Sequence, residues 1–168
     1  MKGARCNDDK ETLEHIQKAA KWLVSGKKPG LLLYGGIGNG KTTLARAIIR
    51  LIGLISDLND PYTKTYQVSA LEISRRALSD EQYIKDLKQI PILMIDDVGV
   101  EPETIKCYGN EISPITDLLY ARYDQQLFTL VTSNLNMEQI KERYGSRIYD
   151  RVNELFNKIP FNQVTYRK

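Results

Sequence analysis

The chain has 168 residues, enough for one compact domain against a prior of roughly 150 per domain, and its 42% hydrophobic content excludes wholesale disorder. Twenty-four Lys and Arg against 21 Asp and Glu leave a formal charge of +3, short of the dense basic footprint that announces nucleic-acid binding from composition. No apolar stretch reaches the length of a membrane span, the N-terminus MKGARCNDDKE lacks the apolar centre of a signal peptide, and two cysteines, Cys6 and Cys107, make neither a disulfide framework nor a metal spacing, so a reducing, cytoplasmic setting is expected.

Residues 1–10 read as a flexible tail. Leu13, Ile16, Ala20, Leu23 and Val24 then recur at helical spacing until Ser25-Gly26, predicting a helix of about 14 residues. His15, the sole histidine, lies on this charged helix and is expected at the surface, and Trp22 is expected in the core. Pro29-Gly30 introduces Leu31, Leu32, Leu33 and Tyr34, a continuously apolar run suited to a strand covered on both faces. Glycines follow at once, and from Lys41 a second helical pattern runs to about Gly53 before Asn59-Asp60-Pro61 breaks it.

Residues 63–68 alternate like a strand, with Ser69 capping a helix over 70–77, and Ser79 with Gln82 reads as a capping box for the next helix. Pro91 precedes a second apolar strand, Ile92 to Ile95, which stops at two aspartates. Residues 97–112 show no clear period. Ser113-Pro114 opens a helix, and Leu127 to Val131 is a third buried strand ending in Thr132-Ser133-Asn134. Asn136 with Gln139 caps a helix broken at Gly145, residues 146–156 resume helical spacing, and residues 160–166 alternate like a terminal strand. Apolar strands separated by helices predict an α/β domain on a mostly parallel sheet, whose ligands gather at the carboxyl ends of the strands.

Gly35-Gly36-Ile37-Gly38-Asn39-Gly40-Lys41-Thr42 satisfies G-x-x-x-x-G-K-[ST] between a predicted strand and a predicted helix, which is the setting of a phosphate-binding P-loop. Such a loop turns successive N–H groups, through Thr43, toward phosphate oxygens, and the helix start adds its positive dipole end. Lys41 is the candidate for the β and γ phosphates and Thr42 for Mg²⁺. Asp96 is then the natural magnesium partner at the end of a neighbouring strand, and Asp97 the candidate base for an attacking water. Asn134 either holds that water or the γ phosphate, or is a turn residue. Arg147 and Arg151 share a helix face with Asp150 and Glu154, and periodicity alone favours a solvated charge ladder.

The runs GLLLYGGIGNGKTTLA, ILMIDDVGVE, TLVTSNL, YGSRIYDRV and VTYRK, in that order, resemble the AAA+ ATPase module of the bacterial DnaC/IstB family, over residues 12–168. That resemblance implies a P-loop ATPase fold over residues 11–168, with ATP and Mg²⁺ as cofactors. It assigns residues 35–42 to Walker A, Asp96 and Asp97 to Walker B, Asn134 to the sensor-1 position, Arg151 to an arginine finger acting on a neighbour's ATP, Arg167 to sensor 2, and Arg147 to the interface. Asp97 stands where many AAA+ proteins carry Glu, and with about 30 residues before the first strand the separate N-terminal partner-binding domain of the loaders is expected to be missing or the chain to be a fragment. The implied partners are a replicative helicase or a transposase, further copies of the chain across an ATP-bridged interface, and single-stranded DNA. The DNA candidates are Arg75 and Arg76, with Tyr83 as a stacking platform, although a solvated helix face explains them as well. The expected activity is oligomer-dependent ATP hydrolysis in DNA replication. A transposition helper, a nucleotide-gated scaffold and a small-molecule kinase are the alternatives.

Overall fold

The structure is a computed structural model and describes residues 10–56, 61–107 and 109–161. Its core is a five-stranded parallel sheet in the order β2-β3-β6-β1-β7, formed by β1 (Gly30–Gly35), β2 (Thr65–Ser69), β3 (Ile92–Val98), β6 (Phe128–Ser133) and β7 (Phe156–Phe161). A two-stranded antiparallel hairpin, β4 (Ile105–Cys107) and β5 (Asn110–Ile112), occupies the stretch in which no period is legible. The helices are α1 (Lys10–Ser25), α2 (Lys41–Ile55), α3 (Ala70–Arg76), α4 (Glu81–Gln89), α5 (Pro114–Asp124) and α6 (Met137–Leu155).

The central strands carry near-continuous apolar runs because both faces are covered. Leu31 and Leu33 of β1, Ile92 and Met94 of β3 and Leu130 of β6 pack on one side with Ala45, Ile48 and Ile49 of α2 and Trp22 of α1. The intervening Leu32, Leu93, Ile95 and Val131 pack on the other with Ile73, Leu87, Leu118, Ile148 and Val152 from α3 to α6. Strand side chains alternate with a period of 2, so neither face could carry polar residues without burying them. Among the described residues no helix is long and apolar enough to cross a membrane.

Several local expectations need correction. Leu13, Ile16 and Val24 are exposed, and α1 instead buries His15, Ala19 and Trp22 against the sheet. His15 stacks on Phe161 with ring centroids 3.9 Å apart, and its Nε2 lies 3.0 Å from the Pro160 carbonyl oxygen, so the histidine is an internal contact of α1 with β7. The cap of α4 is Asp80, whose carboxylate accepts from the Tyr83 N–H at 2.9 Å, one residue beyond the box read from Ser79. The last strand begins at Phe156 rather than Pro160, and residues 162–166 of the expected strand lie outside the described residues. The capping box of Asn136 and Gln139 and the break at Gly145 both stand where expected.

Among the described residues Arg122 is the largest fully buried side chain, and it forms no ion pair with a carboxylate there. Its Nη1 donates to the carbonyls of Leu87 and Ile90 at 2.8 and 2.7 Å, Nη2 to that of Phe128 at 2.8 Å, and Nε to the Thr129 hydroxyl at 2.9 Å. The guanidinium thereby ties the end of α4 to the start of β6, satisfying carbonyls that a finished helix leaves open. Burial pushes its pKa down to about 10, so it stays charged at neutral pH. Arg122→Ala orphans these acceptors and opens a cavity, and is expected to cost about 3 kcal/mol, read by chemical denaturation. Arg122→Lys, with donors but no planar fork, should fall between it and the wild type.

Candidate nucleotide site

The P-loop is held open by its neighbours. Gly35 ends β1 at φ +120, and a Cβ there would stand 2.3 Å from the Phe161 carbonyl oxygen, which leaves glycine as the residue that fits. That same oxygen accepts from the Gly36 N–H at 3.1 Å and from Asn39 Nδ2 at 2.9 Å, so the loop leans on the end of β7. Gly40 is the N-cap of α2 and supplies no side-chain cap. The N–H groups of Lys41, Thr42 and Thr43 therefore begin a helix without a side-chain cap, the kind of helix start that can receive an anion. Ile37 is the exposed tip of the loop.

Lys41 is 5% exposed and donates to the carbonyls of Gly35 at 2.9 Å and Gly36 at 2.5 Å and to Asn39 Oδ1 at 3.2 Å. Burial lowers its pKa, opposed by the charges of Asp97 and then Asp96. The loop's own oxygens take the three donors that a phosphate would otherwise use.

The two aspartates are set apart by a β-bulge. β3 pairs with β6 as Ile95↔Val131 and again as Val98↔Ser133, so Asp96 and Asp97 together oppose Thr132. Asp97 adopts φ +56, a left-handed conformation rare for a residue with a side chain. The Thr132 hydroxyl donates to Asp96 Oδ1 at 2.6 Å and accepts from the Asp97 N–H at 2.9 Å, which pins both ends of the bulge. Thr42 donates to the same Asp96 Oδ1 at 2.9 Å. Arg46, one turn along α2, reaches Asp96 Oδ2 at 3.4 Å. The hydroxyl of Thr42 and the carboxylate of Asp96 form a hard oxygen donor set of the kind magnesium uses together with substrate phosphates.

The other predicted residues separate into groups. Asn134 directly follows β6, and β6 lies between β1 and β3, so it emerges between the P-loop and the aspartates and is half-buried. Arg151 belongs to another surface, with Nη1 3.7 Å from Asp124 Oδ1 and its guanidinium 4.0 Å from the Tyr123 ring centroid and 5.1 Å from that of Tyr120. Its partners are thus on α5, rather than Asp150 or its neighbour Glu154, which accepts from the Tyr123 hydroxyl at 2.6 Å. Arg147 is exposed. Arg167 lies outside the described residues. Arg75 is exposed, but Arg76 pairs with Asp80 at 2.7 Å and covers the Tyr83 ring at 3.5 Å. Tyr83 is buried beneath it, so the expected stacking platform is already occupied from within the chain.

Thr132, Arg46 and the Phe161 carbonyl escape a motif-based reading. The first two are ordinary residues of a strand and a helix, and the third is a main-chain atom, so only the fold gives them partners near the loop.

The sequence profile of the ATPase family associated with various cellular activities (AAA) matches residues 31–153. The replicative helicase loader DnaC of Escherichia coli strain K12 is 29% identical over 166 residues, covering 90% of this chain and 62% of the loader. The replicative helicase loader DnaI of Bacillus subtilis strain 168 is 30% identical over 149 residues, covering 81% of this chain and 44% of the loader. The chain thus spans less than two thirds of the length of these curated relatives. The crystal structure of DnaI superposes with a TM-score of 0.69 at 24% identity, over 94% of this chain and 88% of that one. With the profile running from the P-loop strand through the helix that bears Arg151, on a parallel sheet of matching architecture, the chain belongs to the AAA family of ATPases.

Proposed function

We propose that this domain binds and hydrolyses ATP with magnesium and acts as a helicase-loader-like ATPase in DNA replication, in the cytoplasm. The observation that carries the chemistry is the meeting of Thr42, Asp96 and Thr132 beside the buried Lys41. On this reading the amides at the start of α2 and the Lys41 ammonium hold the β and γ phosphates. A magnesium ion at Thr42 and Asp96 would neutralise phosphate charge. Asp97, turned by the bulge, accepts a proton from the attacking water, and Asn134 orients that water or the γ phosphate by neutral hydrogen bonds.

Thr132→Val keeps the shape and removes the hydroxyl that fixes both aspartates. It is expected to leave ATP affinity within about threefold and to lower turnover by about 10-fold or more, since displaced charges are felt mainly in the transition state. Calorimetry and steady-state hydrolysis separate the two.

Arg151, in contact with α5 rather than with residues 35–43, is proposed to act on ATP held by a neighbouring copy, with Arg147 beside it and Arg167 completing the site. Hydrolysis per chain should then rise with protein concentration. Similarity to replicative helicase loaders favours a helicase over a transposase as the partner. The direct experiment is recovery of partners from the source cell on immobilised protein, with ATP and then with ADP. A hexameric helicase retained in one nucleotide state is the expected result, and a transposase in its place would contradict the reading.

A further inference from the structure

Glu101 is almost wholly buried, its side chain 1% exposed, five residues after Asp96. Its Oε2 accepts from the Gly99 N–H at 2.8 Å. Its Oε1 accepts from the Tyr144 hydroxyl and lies 3.9 Å from Arg143 Nε, while Arg143 Nη2 donates to the Glu101 carbonyl. Arg143 also reaches Glu103 at 3.3 Å. Burial, and then the bond to Glu101, keeps the Tyr144 hydroxyl protonated well above its ordinary range. From the opposite side, the Ser133 hydroxyl donates to the Val98 carbonyl at 2.5 Å and accepts from the Leu135 N–H at 3.1 Å. The end of β3 is therefore clamped between the loop after β6 and the first half of α6.

Immediately after Tyr144 the helix breaks. Gly145 has φ +83 and ψ 165, far from helical values, and nothing lies within 4 Å of where a Cβ would stand. The second half of α6 carries Arg147 and Arg151. A small cavity of about 20 Å³ has Ile140 and Tyr144 from the first half and Ile148 and Val152 from the second among its lining residues, with Val98 at the end of β3. A glycine break inside a helix is a place where its two halves can change their relative direction. A carboxylate is a costly filler for a buried position. What it provides that an apolar side chain does not is a directional tie between two elements.

We propose that Glu101 is a positioning residue that couples the strand end bearing Asp96 and Asp97 to the arginine-bearing half of α6 across the Gly145 break. The coupling rests on the reading of this site as an ATPase. A change at Asp96 or Asp97 on nucleotide binding moves Gly99, and Glu101 passes the motion to Arg143 and Tyr144, one residue before the hinge. Arg151 is thereby oriented according to the nucleotide held by its own chain, which links successive subunits.

The test compares the wild type with Glu101→Gln and Tyr144→Phe in ATP affinity, turnover and amide hydrogen exchange with and without ATP and magnesium. In the wild type, ATP should alter exchange at residues 36–44 and also at 146–151. Both variants should bind ATP within about twofold of the wild type and lose about 2- to 30-fold in turnover, the range of coupling carried by residues that touch neither ligand. Their ATP-dependent change at 146–151 should vanish while that at 36–44 persists. A merely structural role predicts a lower melting temperature with the change at 146–151 intact, and that result overturns the coupling. Should Glu101→Gln fail to fold, Tyr144→Phe, which removes one hydroxyl and keeps the ring, is read by the same criteria. A wild-type chain that neither binds nor hydrolyses ATP overturns the functional reading itself, and the coupling with it.

Discussion

Lys41→Ala is expected to reduce ATP affinity by at least about 100-fold, the effect of losing charge-assisted hydrogen bonds at a partly desolvated site. The ammonium is already buried and hydrogen-bonded to the loop, so phosphate binding exchanges three carbonyl-type acceptors for phosphate oxygens. The variant leaves those loop oxygens without their donor. Circular dichroism and melting accompany the affinity measurement, so that a folded loop without affinity is told apart from a collapsed one. A variant that keeps wild-type affinity would remove residues 35–43 from the phosphate site.

Arg151→Ala should bind ATP like the wild type and lose about 10³- to 10⁵-fold in turnover under conditions of assembly, the worth of an arginine supplied to a phosphoryl transfer. Its ion pair with Asp124 is partly exposed and its ring contacts lie on the surface, so the stability change should stay below about 1 kcal/mol. Mixing it with Lys41→Ala restores part of the activity if the arginine works across a subunit boundary. One partner then supplies an intact nucleotide site and the other an intact arginine. Absence of rescue, with both variants folded and associating, assigns Arg151 to its own chain.

The central strands and the P-loop were legible because their signals are local. A strand covered on both faces reads as a near-continuous apolar run, as in Leu31, Leu32 and Leu33, and a phosphate loop needs its glycines and lysine at fixed spacing. The helix caps at Ser69 and Asn136 were legible for the same reason, each being a bond across three residues. What failed depended on tertiary partners. α1 offers two stripes, and periodicity picks Leu13, Ile16, Ala20, Leu23 and Val24, whereas the structure leaves Leu13, Ile16 and Val24 exposed and turns His15 inward onto Phe161. Nothing in a sequence says which stripe meets the sheet when an imidazole can stack on a ring and reach a carbonyl. The bulge at Asp96 and Asp97 was hidden because alternation assumes an unbroken ladder, and Thr132 acquires its role only through that irregular register.

The charged core residues were hidden for a related reason. Arg122 and Glu101 look like surface charges on composition alone, and their burial is supported by carbonyls and hydroxyls contributed from residues as distant as Leu87 and Tyr144. Spacing makes the arginines of α6 a charge ladder, and resemblance makes them interface residues. The structure gives Arg151 partners on α5 that neither reading named.

The claim on which the rest depends is that main-chain amides between Gly35 and Thr43 receive a triphosphate beside Asp96. Titration calorimetry of the wild-type chain with ATP and magnesium, paired with hydrogen exchange, tests it most directly. The account predicts saturable heat at one site per chain and slowed exchange at residues 36–44. No heat and unchanged exchange at those residues, in a folded protein at saturating nucleotide, would contradict it.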